Sequence, residues 1–327
     1  MPDTFSSVDP DFFGGRWPRG LSRHPCGRAG GVGPMRRAVR FLAMVLGALG
    51  ALGAIGAIGQ GPAFAFEAGK AVPQRVVSLS LCADQFVVPL VPRERIVAVS
   101  ALAANENYSS VAAEARGLPV HGGTAEEVLA LEPDLVIAGG YARRETAELL
   151  ERLKVPLVRL PPGGLNEVPD LIRRVAAATG TLDAGERLEA RFEAALAPQG
   201  MDNRIGALYR PGGDLPGPKT TENDVIERAG LKSLAALLGV QGYGRLHVEE
   251  LVLHRPDVLI FDSADERQGS LSTQMLFHPA LARAMSGTPV INIPIRYWLC
   301  GAPRVVEAVT LLRAHLRAFD AKERVNQ

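Results

Sequence analysis

Residues 126–138 read EEVLALEPDLVIA, and residues 249–261 read EELVLHRPDVLIF. At an offset of 123, Glu126 falls on Glu249, Glu127 on Glu250, Pro133 on Pro256 and Asp134 on Asp257. Each copy predicts the same unit. Two glutamates open a short helix where its dipole favours acid, and Pro-Asp stops it because proline cannot continue the hydrogen-bond ladder. An apolar run then follows, of the length and composition of a strand buried on both faces. Thr124 with Glu127 predicts a capping box on the first copy only. A unit used twice, well apart in one chain, implies two similar lobes.

A chain of 327 residues is long for one core and comfortable for two. Its net charge of +1 is unevenly spread: residues 1–65 hold seven Arg and three Asp, leaving 29 basic against 32 acidic residues beyond them. That near-neutral remainder carries no footprint for nucleic acid. Residues 1–34 are rich in Gly, Pro and Arg without periodicity, and no structure is assigned to them. Met35-Arg36-Arg37, an uncharged run from Phe41 to Gly59 and Ala63-Phe64-Ala65 then predict a secretory signal peptide over 35–65, with Met35 as a second possible start. The competing reading is a membrane anchor, against which the glycines at 47, 50, 53, 56 and 59 argue.

Export puts the chain in an oxidising space. Cys26 leaves with the leader, so Cys82 and Cys300 remain, each after a strand-like run. Two outcomes stay open: a disulfide that staples the lobes, or two partly buried free thiols.

From Arg75 the chain alternates strands (75–80, 96–99, 134–138, 156–160) with helices near 84–91, 125–132, 143–153 and 165–179. A second block follows, with strands 204–209, 257–262 and 289–293 and helices 222–238, 247–254 and 303–319. Such alternation predicts mostly parallel sheets flanked by helices. Between the blocks, Leu188, Phe192 and Leu196 mark one helix over 181–200. The expected organisation is therefore an N-terminal lobe over 66–165, bridging helices over 166–200 and a C-terminal lobe over 201–327. A helical connector limits hinge bending to small amplitudes.

The opening RVVSLSLCADQ, the tandem repeat, the bridging helix and the closing IPIRYWLCGAPRVVEAV together resemble the substrate-binding proteins of ABC importers for iron chelates and cobalamin. The resemblance covers roughly residues 74–320. The opening departs from that family's usual Ser-Pro-Ala-x-Thr-Glu, with Ser80-Leu81-Cys82-Ala83-Asp84 in its place. The resemblance implies two lobes joined by a long helix, a periplasmic location, an inner-membrane permease as partner and a metal chelate, corrinoid or haem as cargo. It implies no catalysis and no cofactor, and the protein is expected to act as a monomer. By position, the glutamates that dock such proteins on the permease are Glu126 and Glu249, one per lobe. Two carboxylates so placed would give a two-point electrostatic register.

In open parallel sheets ligands bind beyond the carboxyl ends of the strands. Tyr108, Tyr141, Tyr209, Tyr243 and Tyr297 all fall on predicted loops or strand ends, with Trp298 beside the last. Amphipathic rings on loops suit a large or flat ligand. Tyr243, Tyr297 and Trp298 align roughly with cleft aromatics of the family and rank first, with Tyr209 behind them. Arg143, Arg210, Arg245 and Arg296 lie near the same ends, where a guanidinium suits anionic oxygens. Arg245 and Arg296 are the two selected. His121, just before Gly122-Gly123, is a candidate contact to ligand or to a metal the ligand carries.

Two other functions compete. A bare-metal importer component needs three or four converging ligands, and His121, His247, His254, His278 and His315 show no ligand spacing. A chelatase-like enzyme on the same two-lobed plan would work in the cytoplasm, and no phosphate loop, dinucleotide fingerprint or nucleophile elbow is present. The runs PPGG at 161–164 and PGGDLPGP at 211–218 are expected to be turns.

Overall fold

The computed structural model describes residues 71–325 apart from 141, 199, 201 and 264–278. The segment 1–34, the leader at 35–65, Tyr141 and His278 lie outside the described residues.

The first block supplies β1 (Val76–Ser78), β2 (Ile96–Ser100), β3 (Val120–His121), β4 (Leu135–Ala138) and β5 (Leu157–Arg159). They form one sheet in the order β3-β2-β1-β4-β5, every pair parallel. Both central strands are buried along their whole length, as the uninterrupted apolar runs require. The second block supplies β6 (Ile205–Leu208), β7 (Asp214–Pro216), β8 (Lys232–Ser233), β9 (Tyr243–Arg245), β10 (Val258–Ser263) and β11 (Val290–Pro294). Four of these make a second parallel sheet, ordered β11-β10-β6-β8, and β7 pairs with β9 in a separate antiparallel ribbon. The expected two-lobed α/β architecture is observed, with the repeat strands β4 and β10 each beside the first strand of their own sheet.

The repeat is physical as well as textual. Asp134 accepts from the backbone N–H of Gln74 (2.6 Å) and Arg75 (2.9 Å), and Asp257 accepts from Ile205 N–H (2.7 Å). Each aspartate thus fixes the start of the strand next to its own. The residue before proline is left-handed in both copies, φ +45° at Glu132 and +43° at Arg255; the proline accounts for its leaving the right-handed helical region, and the positive φ is shared by the two units. The capping box forms on the first copy as predicted. Half of it recurs on the second, which corrects the expectation of one box: His247 N–H donates to Glu250 Oε2 at 2.9 Å.

Two consecutive helices, Val168–Thr179 and Leu182–Ala195, join the lobes. Gly180 lies between them at φ +66°, a conformation that costs glycine little, and ends the first. The 14-residue second helix is about 21 Å long. Its C-terminus is held by Arg313 of the last helix, Val305–Val325, which donates to Ala195 O (3.0 Å), Ala197 O (3.1 Å) and Arg228 O (2.7 Å). One cation thereby serves the orphan carbonyls of two helix ends. The largest apolar cluster runs without a break from Val76, Phe86 and Ile137 through Phe192 and Leu196 to Leu208, Ile260 and Val305. The lobes therefore share a core through the connector, which opposes wide separation.

Two further expectations fail. The helix predicted over 222–238 is two, Thr221–Arg228 and Leu234–Leu237, because Gly230 at φ +102° breaks the pattern and releases β8. The run at 211–218 is not turn alone: Asp214–Pro216 is β7, paired with Tyr243–Arg245.

Candidate functional site

Both sheets reverse their winding between two central strands, at β1/β4 in the first lobe and β6/β10 in the second. Such switch points leave a crevice at the carboxyl ends. In the first lobe the crevice is built close. A Cβ on Gly139 would stand 2.7 Å from Ala83 N and 2.8 Å from Ser80 Oγ, so only glycine lets the β4 loop pass the helix Leu81–Leu90. In the second lobe Arg210 leaves the end of β6 and reaches Asp262 in β10 (2.6 Å), Glu222 (2.8 Å) and, at 3.5 Å, Asp214. Burial works to lower the Arg210 pKa, but the hydrogen bonds and charges of Asp262 and Glu222 outweigh it and hold it above the ordinary arginine value.

The lobes meet over two cavities. One, of about 330 Å³, has Phe86, Gly139 and Leu160 on the first-lobe side and Glu222, Tyr243 and Trp298 on the other. The second, of about 410 Å³, is walled by Ser80, Ser100, His121 and Arg143 of the first lobe, with Leu299 from the second. Leu299 lines both and so stands between them. Cys82 and Cys300 are joined in a disulfide with Cα atoms 5.3 Å apart, which decides the alternative left open by the sequence. It lies on the wall of the first cavity. Approach is close beside it: a Cβ on Gly301 would stand 2.6 Å from Gly163 O across the gap. Arg304 adds a further tie to the first lobe through Ser110 O at 2.8 Å and the Glu114 carboxylate.

His121 lines the second cavity and is 6% exposed. Its Nε2 lies 2.8 Å from Ser78 O and donates to it, since a carbonyl only accepts; Nδ1 has no partner among the described residues. Nearby, Asp84 is fully buried and accepts from Ser100 N–H (3.1 Å) and Ser100 Oγ (2.5 Å). Burial pushes its carboxyl up to about 7, against the Ser100 and Ser78 hydrogen bonds that lower it.

The aromatic and cationic candidates separate. Tyr243 is 62% exposed on β9, at the cavity rim, with its phenol 3.3 Å from Glu222 Oε2. Trp298 is a wall of the same cavity but 1% exposed, so it is a packed core ring rather than the open loop side chain expected. Tyr209 is core outright: 4% exposed, its hydroxyl donates to Leu246 O at 3.0 Å, and it lines neither cavity, because a buried phenol needs an internal acceptor. Tyr297 is half-buried beneath the Arg296 guanidinium, 4.8 Å from its centroid. Arg296 also donates to Glu106 O (3.3 Å), which makes it a link between lobes. Arg245 is exposed on β9 and lines neither cavity. Reading the sequence missed Glu222. An acid that opens a helix reads as a partner for the dipole, and only the fold brings it to Arg210.

At the repeat helices the two glutamates of each pair divide the work. Glu127 Oε2 accepts from Gly122 N–H (2.8 Å) and Thr124 N–H (3.3 Å), and Glu250 Oε2 accepts from His247 N–H. Glu126 and Glu249 are exposed, and neither makes a side-chain hydrogen bond or ion pair among the described residues. Among those residues, too, no three His, Cys, Asp or Glu side chains gather to hold a metal ion, and no helix is long and apolar enough to cross a membrane.

Known proteins agree with this plan. A vitamin B12-binding protein of Pectobacterium carotovorum is 23% identical over 266 residues, covering 77% of this chain and 91% of its own. A cobalamin-binding protein of Halobacterium salinarum is 26% identical over 249 residues, covering 72% and 67%. Among solved structures, the periplasmic heme-binding protein RhuT of Roseiflexus sp. RS-1 in apo form superposes with a TM-score of 0.61 at 27% identity, over 74% of this chain and 97% of its own. The periplasmic binding protein family matches residues 76–285, most of the described chain, and the protein belongs to that family.

Proposed function

We propose that the protein is the substrate-binding component of an ABC importer, taking an iron–siderophore complex, cobalamin or haem into the cleft between its lobes and delivering it to a permease in the inner membrane. It is exported by the leader at 35–65 and works in the periplasm as a monomeric carrier without catalysis. The observation that carries this reading is the division of labour in the repeat: at equivalent positions of both lobes one glutamate caps its helix, and Glu126 or Glu249 beside it is left free to meet a basic partner. The cargo would lie against Tyr243 and Trp298, with His121 in the adjoining cavity; Tyr297, Arg245 and Arg296, which line neither cavity, would reach it only from outside these walls. The relatives' binding of B12, cobalamin and heme supports the choice of cargo.

Reversing both charges, Glu126→Lys with Glu249→Lys, is expected to cut cellular uptake of the cargo by ~10-fold or more, because steering and register are lost while the cleft is untouched. Ligand affinity of the purified variant should not change. Unchanged uptake would remove the docking assignment. Titrating the purified mature protein with ferric siderophores, cobalamin and haem, read on Trp298 fluorescence, selects the cargo.

A further inference from the structure

The cleft is electrically lopsided. The first lobe lines the 330 Å³ cavity with Cys82, Phe86, Gly139, Gly140 and other uncharged side chains, so its charge comes from the second lobe. There Glu222, 4% exposed, lines the cavity directly. Its one guanidinium, Arg210, is shared with Asp262 and Asp214, so three carboxylates crowd a single strong cation. Arg210 itself stands behind the wall, and the cation on the wall, Lys219, is solvent-exposed. A buried carboxylate offers about four acceptor positions. Glu222 Oε1 takes Arg210 at 2.8 Å, while the closest partner of Oε2 is the Tyr243 phenol at 3.3 Å. Acceptor capacity is left at the cavity wall, on a side chain that is itself almost wholly shielded from bulk solvent, where charges are less screened than in water.

We propose that Glu222 determines the specificity of the cleft, admitting ligands whose edge carries neutral amide or hydroxyl donors and rejecting those whose edge carries carboxylates. The inference rests on the cleft being the cargo site. A ligand N–H or O–H completes the Glu222 acceptor set, as the amide side chains of a corrinoid could. A ligand carboxylate in the same place meets a fixed negative charge that Arg210, already divided among three acids, does not neutralise.

Haem and its diamide share one ring and differ only at its edge, and cyanocobalamin adds an amide-edged corrin. The full mature protein is titrated with haem, with the diamide of haem and with cyanocobalamin. The wild type is expected to bind the diamide ~10-fold or more tightly than haem, since like charges at short range are strongly disfavoured outside bulk water. Glu222→Gln keeps an acceptor for Arg210 and should close most of that gap by gaining haem. Lys219→Asn should widen it, because it removes the opposing cation at a position, φ +71°, that asparagine tolerates. Equal affinity for haem and its diamide in the wild type overturns the proposal and leaves the cleft reading intact, as does a gap that neither variant moves. Failure of all three ligands to bind below about 100 µM, a weak interaction on the affinity scale, overturns the proposal, and failure of ferric siderophores as well removes the cleft reading.

Discussion

Each lobe buries acid near the carboxyl end of its sheet, and the two do it differently. Asp84 in the first lobe has only hydroxyl and backbone donors, and burial drives its carboxyl up to about 7. In the second lobe Glu222 and Asp262 share a guanidinium, whose own pKa is raised in return. Hydroxyls can satisfy the geometry of a buried carboxylate, but they bring no charge against the cost of desolvation. The shared repeat supplies scaffold to both lobes, and what differs at the crevice is where selectivity can reside.

The contrast is broken most sharply at Arg210. Arg210→Ala leaves crowded carboxylates without a counterion, and its urea midpoint should correspond to a loss of about 3–5 kcal/mol, the usual penalty for half of a buried pair. Asp84 gives the next largest effect and an opposite lesson. An acid whose folded pKa exceeds its unfolded value holds extra protons when folded, so stability falls as pH rises from about 4 through about 7. Asp84→Asn should flatten that fall by ~3 kcal/mol, read as the change in Tm between pH 5 and pH 8. A wild-type protein equally stable at both values would remove the assigned burial.

Smaller effects sharpen the comparison of the repeats. Asp134 takes two backbone N–H groups and Asp257 one, so Asp134→Ala should cost about 2 kcal/mol and Asp257→Ala about 1 kcal/mol in chemical denaturation. Equal costs would mean that the second hydrogen bond adds nothing. The left-handed residues before the prolines give the smallest change. Glu132→Gly and Arg255→Gly should each stabilise by no more than about 1 kcal/mol, relief of backbone strain being offset by the entropy glycine brings to the unfolded chain.

Most of the fold was legible because its signals are local. Apolar runs such as LVIA and VLIF are too short for a buried helix and fit doubly covered strands, and Pro133 and Pro256, each followed by Asp, separate them from the helices before. What escaped were the two-residue strands β3 and β8, too short to carry a period, and the partners of the crevice residues. Glu222 and Asp262 stand 40 positions apart in the chain and share Arg210 only once β6 and β10 lie side by side. Tyr209 and Trp298 look alike in sequence, each at a strand end, yet one is sealed in a lobe core and the other walls the cavity. Glu126 and Glu249 stand out as equivalent positions in the sequence alone because duplication itself marks them.

The bond between Cys82 and Cys300 links positions 218 residues apart, and on the chain-entropy model a loop of that length adds about 5 kcal/mol of stability. Its mechanical effect is more specific. It ties the first turn of the helix Leu81–Leu90 to the segment just before the last helix, on the cavity wall, so any widening of the cleft has to swing about that point. Under the proposed function, cargo would pass at a distance from that fixed point, and a partner gripping Glu126 and Glu249 would pull on two bodies already pinned to each other.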